Sequence, residues 1–267
     1  MGKTIIQIYE VQKPKEAEAL VDLGVDHIGS VLTDSAQLKN ATIRKTVQVI
    51  QRAGAKSGLI PIFKDPVEIF QALDYYQPDF VHFCEALSPF PENKNTVARE
   101  YDALLSLQSD VKKRFPQIAI MRSLSVPRAG VSQIDGIKKN ILRLAGLFAP
   151  ASDYFLIDTL IGNPGDQSQQ PVAGYVGITG ELCDWNIAGA IIKVSPIPVI
   201  LAGGISGENV FEAITTLKPA GVDSCTKTNA VDKQGRPVRF KKDMKKVRRL
   251  IEKARRADEF LSKKGEG

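Results

Sequence analysis

Eight times in 267 residues, a short apolar run gives way to a helical repeat of apolar and charged side chains. The apolar runs fall at residues 4–10, 26–32, 57–63, 79–84, 117–123, 153–158, 198–202 and 221–225. The helical patterns that follow them fall at 14–24, 39–53, 65–76, 94–115, 132–147, 184–194, 207–217 and 241–260. Runs this short and this apolar suit parallel strands buried on both faces. Parallel neighbours need a crossover connection, and a helix supplies it each time. Eight unbroken units favour closure into a barrel over an open sheet. The expected fold is α/β, a single (β/α)8 TIM barrel over residues 1–260, with a flexible tail at 261–267. Local signals agree with this reading. Pro14 opens the first helix and Gly24 closes it, Asp65-Pro66 opens the third, and Ser132 can cap the fifth.

The same chain excludes several classes of function. No run approaches the roughly 18 apolar residues of a membrane span, and the sequence enters its first strand pattern directly after Met1-Gly2-Lys3-Thr4, so no leader is expected. Three cysteines (Cys84, Cys183, Cys225) and two histidines match no metal-ligand spacing, and an odd cysteine count suits a reducing cytoplasm. No metal or cofactor is expected. The net charge of +6 is concentrated in the last helical pattern, where lysines and arginines alternate with Met244, Val247, Leu250, Ile251 and Ala254. That is a solvated face of an amphipathic helix rather than a nucleic-acid surface.

In such a barrel the chemistry sits at the C-terminal ends of the strands. Val199-Ile200-Leu201-Ala202 runs into Gly203-Gly204, and Gly221-Val222-Asp223 runs into Ser224-Cys225. Two adjacent strand ends with bare backbone N–H groups form a cradle for a phosphate monoester. Gly177-Ile178-Thr179-Gly180 offers a further backbone wall, so Gly177, Thr179 and Gly180 join Gly203, Gly204, Ser224 and Cys225 as the expected phosphate site. Asp158 closes an apolar strand, where partial desolvation raises a carboxyl pKa into a useful range for proton transfer. Glu10 and Glu85 end two other strand runs and are alternative bases; Tyr9 and Arg122 are expected to touch substrate. Two connections are long: 87–94, and the polar, glycine- and glutamine-rich 159–176, which is expected to act as a lid. Trp185 is expected to pack between helix and barrel.

Taken in order, these pieces resemble the phosphoribosylanthranilate isomerase family of tryptophan biosynthesis, a ribulose-phosphate-binding barrel. The matching runs are Gly24-Val25-Asp26-His27-Ile28-Gly29, Gly58 to Pro66, Ile157-Asp158-Thr159, Gly177 to Gly180 with Asp184-Trp185, the Val199–Ile205 run with Asn209-Val210, and Gly221 to Ser224. The resemblance implies that Asp158 is the general acid, that Asp223 lies near the aglycone ring, and that the phosphate cradle is retained. It also exposes departures. Tyr9 stands where the family has its catalytic cysteine, and the arginine that holds the anthranilate carboxylate after strand two is absent, with Lys39 the only cation there. The strand-four pattern reads His82-Phe83-Cys84-Glu85.

The resulting expectation is an acid–base isomerase acting on a phosphorylated sugar or sugar conjugate, a small-molecule partner whose identity differs from phosphoribosylanthranilate. Two alternatives stay open: a phosphosugar lyase using Lys64 or Lys227 as a Schiff base, and a phosphometabolite-binding barrel without turnover.

Overall fold

A computed structural model describes residues 2–87, 94–130, 134–162 and 169–265. Its core is a closed barrel of eight parallel strands in sequential order. The strands are β1 (Ile5–Ile8), β2 (His27–Leu32), β3 (Lys56–Pro61), β4 (Phe80–Phe83), β5 (Ala119–Pro127), β6 (Tyr154–Leu160), β7 (Val199–Leu201) and β8 (Gly221–Asp223). The helices are α1 (Pro14–Asp22), α2 (Ala41–Arg52), α3 (Pro66–Tyr76), α4 (Lys94–Arg114), α5 (Ile134–Phe148), α6 (Trp185–Val194), α7 (Val210–Leu217) and α8 (Met244–Gly265). Closure is explicit in the register, with Ile5 to Gln7 of β1 paired against Gly221 to Asp223 of β8.

Each helix starts where local chemistry allows it. Pro14 and Pro66 occupy first helical turns, and Asn40, Asp65 and Asp184 accept hydrogen bonds from the first free N–H groups of α2, α3 and α6. The helices' apolar faces pack on the outer faces of the strands, as in the contact of Phe155 and Ile157 with Ile187, Ala188 and Ile191. Trp185 packs partly buried against this layer, as expected. The barrel interior is filled by a second set, including Tyr9, Phe80, Met121, Leu156 and Ile200. Large rings there need small neighbours: a Cβ on Gly58 would stand 2.5 Å from the Phe80 ring.

The N-terminal face carries a repeated latch. Asp26, Asp79 and Asp153 stand immediately before β2, β4 and β6. Each accepts a backbone N–H from the preceding strand, Ile6 at 2.9 Å, Ser57 at 2.8 Å and Ile120 at 2.8 Å. Each also pairs with a cation, Arg255, Lys56 and Lys112 respectively. Those contacts hold the Asp26 and Asp79 carboxyls below the usual carboxylate range despite partial burial.

Three features differ from the sequence reading. β5 continues to Pro127, four residues past the expected end at 123. α8 runs to Gly265, so residues 261–265 belong to a helix rather than to a flexible tail. An antiparallel pair, β9 (Asn229–Val231) and β10 (Pro237–Lys242), is inserted between β8 and α8. Ser132, residues 88–93 of the first long connection and residues 163–168 of the second lie outside the described residues. Among the described residues, no helix is long and apolar enough to cross a membrane.

Candidate active site

At the C-terminal end of the barrel two small cavities lie side by side. The first, of about 50 Å³, occupies the barrel mouth, where Tyr9, Val31, Ile60 and Leu156 form apolar walls. Asp158 and Asp223 line this cavity and also the second one, of about 20 Å³, which sits among the ends of β6, β7 and β8. Residues 172 and 175–178 roof the mouth.

The two aspartates are the distinctive chemistry of the site. Neither takes part in an ion pair among the described residues. Asp158 is held by the backbone N–H groups of Thr159, at 2.7 Å, and Gly203. Burial nevertheless outweighs those bonds and pushes its carboxyl up to about 6. Asp223 accepts 3.1 Å from Gln7 Nε2, whose amide oxygen meets His27 Nδ1 at 3.1 Å. Burial, reinforced by the charge of Asp158, pushes Asp223 up to about 8, against the opposing pull of Gln7 and Lys242. Near neutral pH the pair therefore holds one proton between two carboxyls, an acid beside a base.

Other candidates are placed elsewhere. Glu85 and Arg122 do not face the mouth. They bind each other at 2.5 Å, and Arg122 Nε donates to Gln108 at 2.7 Å. The Arg122 guanidinium lies between the Phe83 and Phe148 rings in the layer between barrel and helices. The extra length of β5 is the reason, because it leaves Arg122 in mid-strand, opposite Phe83 and Phe155, on the outward side of the pleat. Arg122 is thus not a substrate contact, and Glu85 is not a free base. Glu10 does reach the mouth, in a left-handed conformation (φ 64°), but Arg239 of β10 holds its carboxylate at 2.5 Å. Tyr9 lies inside the barrel, its ring 5.2 Å from that of His82 and its hydroxyl 3.7 Å from Met121 Sδ. Burial and the nearby Asp223 charge push its phenol well above its usual value, so it is not a base near neutral pH. Burial likewise raises the Cys84 and Cys225 thiols, which line the same cavity. Lys64 and Lys227 are both exposed, and neither lies in the desolvated apolar pocket in which a lysine acts as a Schiff-base nucleophile.

Most of the residues expected to cradle a phosphate lie together. Gly180, Gly203, Gly204, Ser224 and Cys225 all line the second cavity. Gly203 and Gly204 adopt φ 75° and 66°, and a Cβ on Gly204 would stand 2.9 Å from the Glu181 carbonyl carbon. Thr179 is not part of the lining; its hydroxyl accepts from Glu181 N at 3.2 Å. Gly177 sits over the mouth instead, where a Cβ would come 2.6 Å from Asp158 Oδ2. Three residues of the cradle went unread in the sequence. Thr226 contributes a buried hydroxyl without a partner, Lys227 contributes a cation, and Ile178 roofs both cavities at φ 63°. The small polar run from Ser224 signalled the first two, while nothing marks a β-branched residue for the left-handed region. Outward, the cradle opens onto a groove of about 960 Å³ bordered by Arg128, Lys227, Lys246 and Arg249.

Both the sequence and the fold have counterparts among known proteins. Residues 140–253 match the family model described as N-(5'-phosphoribosyl)anthranilate (PRA) isomerase. The N-(5'-phosphoribosyl)anthranilate isomerase of Methanosarcina acetivorans is 27% identical over 259 residues, 97% of this chain and 96% of that one. Over nearly its whole length the chain is similar to phosphoribosylanthranilate isomerases. A second Methanosarcina relative of that name, isomerase 2 of Methanosarcina mazei, is 36% identical over 146 residues, 55% of this chain and 52% of its own. The solved phosphoribosylanthranilate isomerase of Pyrococcus furiosus shares the fold, with a TM-score of 0.63 at 20% identity, covering 95% of this chain and 99% of its own.

Proposed function

We propose that the protein is an isomerase that converts a phosphorylated aldose conjugate into the corresponding ketose by acid–base catalysis. The observation that supports this most is the pair Asp158 and Asp223, a half-buried and a buried carboxyl that take part in no ion pair among the described residues and line both the barrel mouth and the adjoining cavity. A phosphate seated among Gly180, Gly203, Gly204 and Thr226 sets the sugar's C1–C2 end toward the mouth. The protonated member of the pair gives its proton to the ring oxygen, which opens the ring as the C1–O bond breaks. As the C1–O bond breaks, the lone pair of the other heteroatom on C1 forms a double bond to C1. The ionised member then takes the C2 proton; the electron pair of that C–H bond forms the C1=C2 double bond, and the pair of the C1–heteroatom double bond returns to the heteroatom. Protonation at C1 and loss of the C2 hydroxyl proton leave the carbonyl at C2. Glu10 and Glu85, the bases expected from the sequence, are occupied by Arg239 and Arg122, so the role passes to the aspartate pair.

Proton exchange at C2 tests this directly. The protein is incubated in D2O with phosphorylated aldoses and their stable N-substituted conjugates, and deuterium at C2 is followed by NMR. Enzyme-dependent exchange that is lost in Asp158→Asn and in Asp223→Asn is the expected result. Binding of the same compounds without exchange would make the protein a phosphometabolite-binding barrel.

A further inference from the structure

We propose that the mouth accepts a phosphorylated sugar whose substituent at C1 is uncharged and largely apolar, and discriminates against one that carries a carboxylate. The proposal rests on the isomerase reading above and concerns the substrate class of that site.

The site is electrically divided. Its cations lie on the outer, phosphate side, where Lys227 borders the cradle and Arg128 and Lys246 border the groove beyond it. The mouth side has the opposite character. Val31, Ile60, Ile62, Leu156, Val172 and Val176 supply apolar walls, and Glu10, Asp158 and Asp223 supply carboxyls. Among the described residues, no lysine or arginine lines it.

Of the cations nearest the mouth, Arg239, Lys242 and Arg122 are already committed, and Lys64 does not line it. Arg239 is bound to Glu10. Lys242 Nζ donates to the Cys225 carbonyl at 3.0 Å and to Asn229 Oδ1 at 2.6 Å. Arg122 lies behind the strands with Glu85. Lys64 is exposed at the rim. His82 supplies no charge either, since burial pushes its imidazole down to about 3. Its Nε2 meets Ser123 Oγ at 2.8 Å, while its buried Nδ1 has no partner. The mouth thus offers one neutral hydrogen-bonding position inside an apolar wall. A carboxylate placed there would be stripped of water and set beside the Asp158–Asp223 pair, with no cation lining the cavity to balance it. An amine-linked or hydroxyl-bearing apolar group would meet the His82 nitrogen and leave no buried charge unpaired. Both cavities are small in this closed arrangement, so the roof must draw back for any conjugate, and the chemistry of the lining is what separates the two classes.

Calorimetry with three probes tests the proposal. They are ribose 5-phosphate, reduced 1-(o-carboxyphenylamino)-1-deoxyribulose 5-phosphate, and the same reduced conjugate lacking the carboxyl group. The carboxyl-free conjugate is expected to bind at least tenfold more tightly than its carboxylated counterpart. Equal or tighter binding of the carboxylated probe would overturn the proposal while leaving the isomerase reading standing. Failure of all three phosphorylated probes to bind would remove the phosphate site, and with it both readings. Ile62→Lys places a cation at the mouth and is expected to narrow the preference at least tenfold. An unchanged ratio in a folded Ile62→Lys protein would show that charge is not what discriminates.

Discussion

Gly29 of β2 lies flat beneath the Tyr9 ring, so closely that a Cβ on Gly29 would overlap Tyr9 Cδ1 and Cε1. The bulky residue at the end of β1 is therefore accommodated by the absence of a side chain on its neighbour. Gly29→Ala is expected to destabilise the protein by about 1–3 kcal/mol through overpacking. In a Tyr9→Cys background the same change should cost close to nothing, giving a coupling of about 1 kcal/mol or more in denaturant titrations. Additive effects would mean that Tyr9 has other places to go.

Catalysis by a carboxyl pair that holds one proton has a definite pH signature. Below about 6 both Asp158 and Asp223 are protonated and no base remains, whereas above about 8 both are ionised and no acid remains. The C2 exchange rate should accordingly trace a bell with limbs near 6 and 8. A rate that climbs steadily through pH 9 would point to a different acid.

Both of these carboxyls have pKa values raised by folding, so their ionisation works against the folded state. Their cost is absent below the unfolded carboxylate pKa of about 4, grows as pH rises above it, and is complete above about 6 for Asp158 and about 8 for Asp223. Asp223→Asn keeps an acceptor for Gln7 and removes that cost. It is expected to abolish exchange while raising Tm by about 2–6 °C at pH 9, with little change at pH 5. Thermal melts across that range provide the check.

Thr226 offers a hydroxyl to the cradle that nothing in the protein satisfies. A hydrogen bond to a charged group contributes about 1.5–3 kcal/mol. Thr226→Ala should therefore weaken ribose 5-phosphate binding tenfold or more, with Tm unchanged in the ligand-free protein. Thr226→Ser should retain the affinity. Equal binding by all three proteins would place the phosphate elsewhere.

The opposite pH dependence belongs to Asp79, whose carboxyl is held below its usual range by the Ser57 backbone, the Ser57 hydroxyl and Lys56. Its contribution is present above the unfolded pKa of about 4 and disappears as pH falls through the lower folded value. Asp79→Ala should destabilise by about 1–2 kcal/mol at pH 7 and by clearly less in the acid range. A pH-independent loss would mean that the latch acts through shape alone.

The barrel itself was legible because strand and helix periods differ and because Pro14, Gly24, Asp65 and Pro66 punctuate them. The cradle was legible because Gly203 and Gly204 adopt a backbone that other residues avoid. Arg122 was misplaced for a reason intrinsic to strands: its direction depends on parity and on where β5 stops, and neither is marked by the apolar run that contains it. The β9–β10 pair left little trace, because its partly buried face, Val238, Phe240 and Lys242 of β10, is short and contains a lysine, and Arg239 and Lys241 alternate with it. With that ribbon unread, the partner of Glu10 was invisible and Glu10 looked like a free base. Asp223 was read as a substrate contact because its burial and its link to Gln7 depend on barrel closure between β1 and β8.

The aspartate latches beneath β2, β4 and β6 join the strands in twos, at the end of the barrel remote from Asp158. Loss of a side chain at the mouth leaves every one of these joints intact. Such a protein has evolutionary latitude: the residues that choose a substrate can be rewritten by successive single changes without the molecule first becoming too fragile to persist.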